Sequence, residues 1–236
     1  MSGPLAIVTT TCDEAACWRS HPSKPSPLVH ASGADGGRAL AGAVRLIERH
    51  VSGFVSFGGA TALAPALRPG DLVIGEAVVL PSGETIRTAD TWRDELVRRA
   101  ALLQVRVMVA RVAGDDATLL APREKSAAFR STAAATLDTE SHVVAEVARR
   151  HHLPFLAVRV VVDGAQDWPP PACVAALGAD GSRRTMALAM QAGLRLWDLP
   201  ATWRHLRHQK LALEVLRRAA ALTPAPGAIQ PRLRVA

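Results

Sequence analysis

Short apolar runs alternate along this chain with longer stretches whose apolar residues recur at helical spacing. Residues 5–10, 54–57 (FVSF), 105–112 and 155–162 predict strands. The last of these is apolar throughout except for Arg159. Residues 39–50 (ALAGAVRLIERH) predict a helix with Leu40, Val44 and Ile47 on one face and Arg45, Glu48 and Arg49 on the other. Helices are also predicted over 92–103, 122–135 and 140–151, and residues 69–80 read as a turn followed by a pair of strands. Strands alternating with amphipathic helices give an α/β fold: one domain with a central, mostly parallel but mixed, twisted sheet flanked by helices. The domain is expected to span residues 1–222, with a basic helical part at about 185–222. Residues 223–236, with three prolines, are expected to form a loose tail.

In open α/β sheets, ligands bind beyond the carboxyl ends of the strands. The positions to search are therefore those after residues 10, 57, 112 and 162. After the first strand come Asp13 and Glu14, at the start of a short predicted helix. They can complement the helix dipole or serve chemistry. After the second comes Gly58-Gly59, either a plain turn or a place where backbone amides meet a ligand. Further on, Asp138 and Thr139 can cap the helix that begins near Glu140. Capping needs only one of them, so Glu140 is left over, and a carboxylate there can accept two hydrogen bonds from a vicinal diol. Asp163 closes a buried strand. A carboxyl at the rim of an apolar site is raised in pKa and can be held protonated, as a donor to a leaving heterocycle nitrogen. Arg159 needs a partner if it is buried.

No apolar run is long enough to span a bilayer, and the apolar run near the N-terminus has no basic segment before it, so it reads as a first strand. Cys12, Cys17 and Cys173 lack metal-ligand spacing and are read as reduced thiols of a cytoplasmic protein. No metal site is expected. The net charge is +7, and the segment from Arg195 to the end carries eight basic against two acidic residues. Such a surface suits an acidic ligand, an anionic membrane face or nucleic acid. Nucleic acid is disfavoured: there are nine aromatic residues and no Tyr to stack bases, and neither helix-turn-helix nor zinc-finger spacing is present.

Two segments carry a family resemblance. FVSFGGATALAPALRPGDLVIG (54–75) is similar to the glycine loop and following strand of the nucleoside phosphorylase/nucleosidase superfamily. LDTESHVVAEVARRHHLPFLAVRVVVD (137–163) is similar to its Asp-x-Glu, helix, Pro-Phe, Arg, Asp signature. The resemblance implies that Glu140 binds the ribose hydroxyls and that Asp163 protonates the purine as the glycosidic bond breaks. It also implies that Glu14 activates water. Thr139, Gly58 and Gly59 would line the ribose and nucleophile region, residues 117–120, Leu119 among them, would flank the purine, and Arg159 would be a further ligand. No cofactor is implied, beyond inorganic phosphate as co-substrate if the enzyme is a phosphorylase, and members are usually homo-oligomers. The segment after Asp163 and the basic C-terminal part resemble the hopanoid-associated branch, whose members release adenine from adenosylhopane. That substrate would give residues 201–220, with Trp203, Leu206, Leu213 and Leu216 among basic residues, a role at the inner membrane face. The alternatives are a helix packed on the sheet and an enzyme acting on small nucleosides such as methylthioadenosine. Two departures from the family pattern stand out. Thr61 and Ala62 replace glycines of the loop, and Val162 replaces the serine that usually precedes the catalytic Asp. The absence of an Arg within the glycine loop favours hydrolysis over phosphorolysis.

Overall fold

The computed structural model describes residues 3–19, 21, 25–119, 121–182, 184 and 196–223. The expected loose tail therefore lies outside the described residues beyond Thr223, as does the first part of the basic segment, residues 185–195.

The long apolar runs form the centre of the sheet. β1 (Leu5–Thr9) is buried at every position, as a strand covered on both faces must be. It pairs in parallel with β2 (Leu28–Ala31) on one side and β3 (Gly53–Ala62) on the other. β3 pairs in parallel with β8 (Phe155–Asp163) and, at its far end, antiparallel with the three-residue β7 (Thr136–Asp138). β8 runs antiparallel to β4 (Leu72–Val79), which pairs with β5 (Thr85–Arg87) and β6 (Val107–Gly114), and β6 joins β7. The circuit β3–β8–β4–β6–β7 therefore returns to β3. The result is a mixed, mainly parallel sheet of eight strands among the described residues.

The helices cover both sides. α2 (Gly36–Ile47), α5 (Ser141–Arg150) and the sheet enclose one apolar cluster around Phe54, Val73, Val112 and Phe155. α3 (Asp90–Ala100) and the long C-terminal helix α7 (Leu199–Leu222) enclose another around Leu5, Phe57, Leu72 and Leu156. α1 (Cys12–Ala16), α4 (Pro122–Thr132) and α6 (Pro171–Ala175) are the remaining α-helices among the described residues.

Several expectations change. α2 buries its small residues, Ala39, Gly42 and Ala43, while Leu40 and Val44 are 40% and 45% exposed. Close approach to β2 selects this face: a Cβ on Gly42 would lie 1.9 Å from the His30 ring. The glycines after FVSF do not end the strand, because β3 continues through them to Ala62. Residues 69–80 begin with the expected turn but continue as one strand, β4, rather than two. The helix expected to reach 135 stops at Thr132, where Ala133 adopts a left-handed conformation (φ 52°) and frees the chain for β7.

Candidate active site

Glu14, Glu140 and Asp163 come from three distant parts of the sequence and line one cavity of about 430 Å³. It opens beyond the ends of β1, β3 and β8, and α6 and α7 close its other side through Val174, Leu177, Leu206 and Leu213.

Glu14 is placed by helix capping. Thr11 caps α1, its hydroxyl accepting from the Glu14 N–H, and Glu14 Oε2 accepts in return from the Thr11 N–H at 2.8 Å. Oε2 also accepts from the Thr10 N–H at 2.9 Å. The structural role anticipated for an acid here is thus real, but it leaves Oε1, which accepts from the Gly59 N–H at 2.8 Å. Burial pushes Glu14 upward in pKa; the amides of Gly59 and Thr11 oppose this. The Gly58-Gly59 pair makes room for the carboxylate rather than cradling an anion: a Cβ on Gly58 would lie 2.9 Å from Glu14 Oε2. Gly59 lines the cavity with its amide already engaged, and Gly58 does not line it.

Glu140 stands at the junction of β7 and α5 with no exposed surface. Its Oε1 accepts from the hydroxyls of Ser32 (2.9 Å) and Thr139 (2.8 Å), whereas its Oε2 has no hydrogen-bond donor. Burial raises its pKa, and the Arg159 guanidinium works against that. Asp138 has two roles. Its Oδ1 accepts from the Glu140 and Ser141 N–H groups at the start of α5, although Glu140, not Asp138 or Thr139, holds the N-cap position, and it also faces Arg159.

Arg159 is placed differently from the sequence expectation. It has no exposed surface and does not line the cavity. Its Nε lies 2.8 Å from Asp138 Oδ2, and its Nη2 donates to Asp138 Oδ1 (2.8 Å), Ser141 Oγ (2.9 Å) and Ser56 Oγ. Glu140 Oε2 is 3.9 Å away. Arg159 is therefore the counter-ion behind the carboxylates, out of reach of a ligand in the cavity. Of the segment expected to flank the purine, Thr118 lines the cavity, whereas Leu119 packs against Leu63, Ala113, Ala134 and Leu137.

Asp163 is held by two side chains that the sequence did not single out for this role. Thr61 Oγ1 donates to Oδ1 at 3.0 Å, and Lys125 Nζ donates to Oδ2 at 2.5 Å. Burial drives the Asp163 pKa up; the Lys125 ammonium and the Thr61 hydroxyl draw it down. Thr61 reaches Asp163 through a bulge. The β3–β8 register runs Ala60 to Val161 and then Thr61 to Asp163, so Val162 is passed over. The two apparent departures are therefore connected. Val162 supplies no hydroxyl, and the bulge that accommodates it brings the Thr61 hydroxyl opposite Asp163. Lys125 had a sequence signal: it shares helical spacing with Ala128 and Phe129, which pack inward. A charged residue in an apolar stripe indicates a buried partner. Ser32, at the end of a half-buried edge strand, had no such signal.

The apolar residues of α7 do not form one lipid-facing stripe. Leu206, Leu213 and Leu216 line the cavity, and Ala212, Val215 and Ala219 pack on the sheet. Trp203 is 67% exposed and stands with Arg204, Arg207 and Lys210 on the solvent side. No helix among the described residues is long and apolar enough to cross a membrane.

A family model, the phosphorylase superfamily, matches residues 33–189. No curated protein sequence matches the chain. Solved structures do. The futalosine hydrolase of Helicobacter pylori superposes with a TM-score of 0.66 at 13% identity, covering 93% of this chain and 97% of its own. The 5′-methylthioadenosine/S-adenosylhomocysteine nucleosidase of Neisseria meningitidis, in complex with methylthio-immucillin-A, gives 0.70 at 12% identity, covering 94% and 98%. The corresponding nucleosidase of Colwellia psychrerythraea, in complex with adenine, gives 0.70 at 13%, covering 98% and 99%. At these identities the likeness establishes the fold.

Proposed function

The chain belongs to the phosphorylase superfamily, and on that premise we propose that it cleaves the N-glycosidic bond of a purine nucleoside by hydrolysis. The observation that carries the reading is the convergence of Glu14, Glu140 and Asp163 on one cavity, each held by its own donors. Cleavage of a purine nucleoside passes through an oxocarbenium-like state. The departing base must be neutralised, the sugar held and a nucleophile presented. Asp163 protonates the base. Glu140 binds the sugar hydroxyls: its Oε2 is a buried acceptor without a donor, which a ribose hydroxyl would satisfy. Glu14, raised in pKa by burial, takes the proton of the attacking water. Water is favoured over phosphate because the Gly59 amide is already bound to a carboxylate, and a buried carboxylate repels an anionic nucleophile.

The finer reading is adenine release from adenosylhopane. It is supported by the apolar far end of the cavity, between α6 and α7, and by the exposed Trp197 and Trp203 at the start of α7, whose solvent side also carries Arg204, Arg207 and Lys210, a face suited to an anionic membrane surface. Adenine release is to be measured from adenosylhopane and from methylthioadenosine, with and without phosphate. Turnover of the lipid nucleoside without phosphate is expected. Turnover of methylthioadenosine alone assigns a small substrate, a strict phosphate requirement assigns a phosphorylase, and no release from any purine nucleoside overturns the reading.

A further inference from the structure

Lys125 sits in the first turn of α4, where the helix dipole disfavours a cation, and its side chain has no exposed surface. Burying an ammonium costs several kcal/mol, roughly, and an ion pair held only for stability could be replaced by apolar side chains at little loss. All three of its donors are used: Asp163 Oδ2 at 2.5 Å, the Asp167 carbonyl at 2.7 Å and the Gly164 carbonyl at 3.0 Å. On Asp163, Oδ1 receives the Thr61 hydroxyl, so the ionisable donor touching this carboxyl is Nζ.

We infer that Lys125 is a positioning residue that supplies the proton Asp163 delivers: the proton moves from Nζ to Asp163 and from there to a purine ring nitrogen. The inference rests on the reading of Asp163 as the acid. As the C1′–N bond breaks, its electron pair goes to the purine and the ring takes the proton. Water bonds to C1′ and gives its own proton to Glu14. That proton later returns through solvent to Asp163, which lines the cavity, and from it to the neutral Lys125 amine, so the cycle adds one water and is otherwise balanced. The site favours the transfer because it is dry. Asp163 is 5% exposed, and the neutral acid–amine pair escapes the desolvation borne by the ion pair. Of the charged groups around the pair, Asp167 on the loop after β8 disfavours a second anion at Asp163. β3 contributes the neutral Thr61, and Arg123 and Glu124 lie exposed on α4 itself.

The test is the alkaline limb of kcat for purine release in the wild type, Lys125→Met and Lys125→Arg. If Lys125 is the proton source, the wild-type pair keeps its transferable proton to high pH. Lys125→Met then works only while Asp163 itself is protonated, so its limb moves to lower pH and activity recovers towards acid pH. Arg keeps the charge but does not release the proton, so the Lys125→Arg limb also moves to lower pH, further than that of Lys125→Met because the guanidinium holds Asp163 as the anion, with kcat at pH 8 down by about 100-fold, within the usual range for general acid catalysis. If Lys125 serves only as a charge, its removal raises the Asp163 pKa and the limb moves to higher pH, while Lys125→Arg keeps the wild-type profile. Either of those results overturns the inference, as does loss of activity at every pH in a folded variant. If Lys125→Met does not fold, the Lys125→Arg profile decides alone. Failure of the wild type to release base from any purine nucleoside would instead overturn the underlying function.

Discussion

Removing Arg159 separates a counter-ion from a substrate ligand. The guanidinium is fully buried, contacts Asp138 at 2.8 Å through both Nε and Nη2, and binds the hydroxyls of Ser56 and Ser141. Arg159→Met keeps the length and apolar stem but leaves Asp138 buried without its cation. Breaking a buried pair from one side costs about 3–5 kcal/mol. For a domain of this size each kcal/mol lowers Tm by about 2–4 °C, so a drop of roughly 6–20 °C is expected. The double variant Arg159→Met/Asp138→Asn removes the stranded charge and should recover more than about 1 kcal/mol, a coupling measured by urea unfolding followed by circular dichroism. A folded Arg159→Met protein with wild-type Tm and a selective rise in KM would refute this reasoning and make Arg159 a ligand after all.

Glu14→Gln should lower hydrolysis by at least about 100-fold, and added phosphate should not restore it; restoration would assign phosphorolysis. The pH profile has a definite sign. The proposed hydrolysis uses Glu14 as a carboxylate, and burial raises its pKa, so activity should be full above that pKa and lost as pH falls through it. The acid limb of kcat/KM should therefore lie above the usual glutamate range and be absent from the residual activity of Glu14→Gln. Asp163→Asn should reduce adenine release by about 100- to 10,000-fold and also lower Tm, because Lys125 is left buried without its anion; near-normal turnover would remove Asp163 from the chemistry. Thr61→Val, which exchanges the hydroxyl for a methyl, should cost about 10-fold or more in kcat, since a hydrogen bond to a charged group contributes roughly 1.5–3 kcal/mol; an unchanged rate would show that the bulge does not serve Asp163. Ser32→Ala should raise KM for ribosides with kcat nearly kept, read from initial rates of adenine release.

The sequence was legible where one residue carries one local cause. Alternation of apolar and amphipathic runs located β1, β3, β6 and β8 because burial leaves few polar positions, such as Ser56 and Arg159, to interrupt them. It missed β2, β5 and β7, which are short and half-buried or are fixed by neighbours distant in sequence. The same division holds in the site. Glu14 and Asp163 stand at the ends of predicted strands, so their positions could be read from order; Glu140 follows the unpredicted β7 and stood out only as the carboxylate left over beside an expected helix cap. What holds each of them could not. Ser32 reaches Glu140 across 108 positions, Thr61 reaches Asp163 across 102 and Lys125 reaches it across 38.

Thr61 and Val162 show why single positions mislead. Judged separately, each is a departure from the family pattern: one adds bulk to a glycine loop and the other deletes a hydroxyl beside the Asp. The register joins them. A strand side chain can turn toward a neighbour's carboxylate only if both lie on the same face. In unbroken pairing Thr61 would oppose Val162. Passing over Val162 advances β8 by one residue and brings Asp163 opposite Thr61, so the hydroxyl now comes from the neighbouring strand. The bulge also directs the Val162 side chain to Gly59, where a Cβ would lie 2.7 Å from Val162 Cγ2. Gly59 therefore has to remain glycine for the valine to fit, and its amide in turn holds Glu14. Glu14 and Asp163, the proposed base and acid, are thus coupled through one irregularity in the β3–β8 pairing. Gly59→Ala should lower kcat through both ends of the site at once. With Glu14→Gln, its effect should be much less than additive.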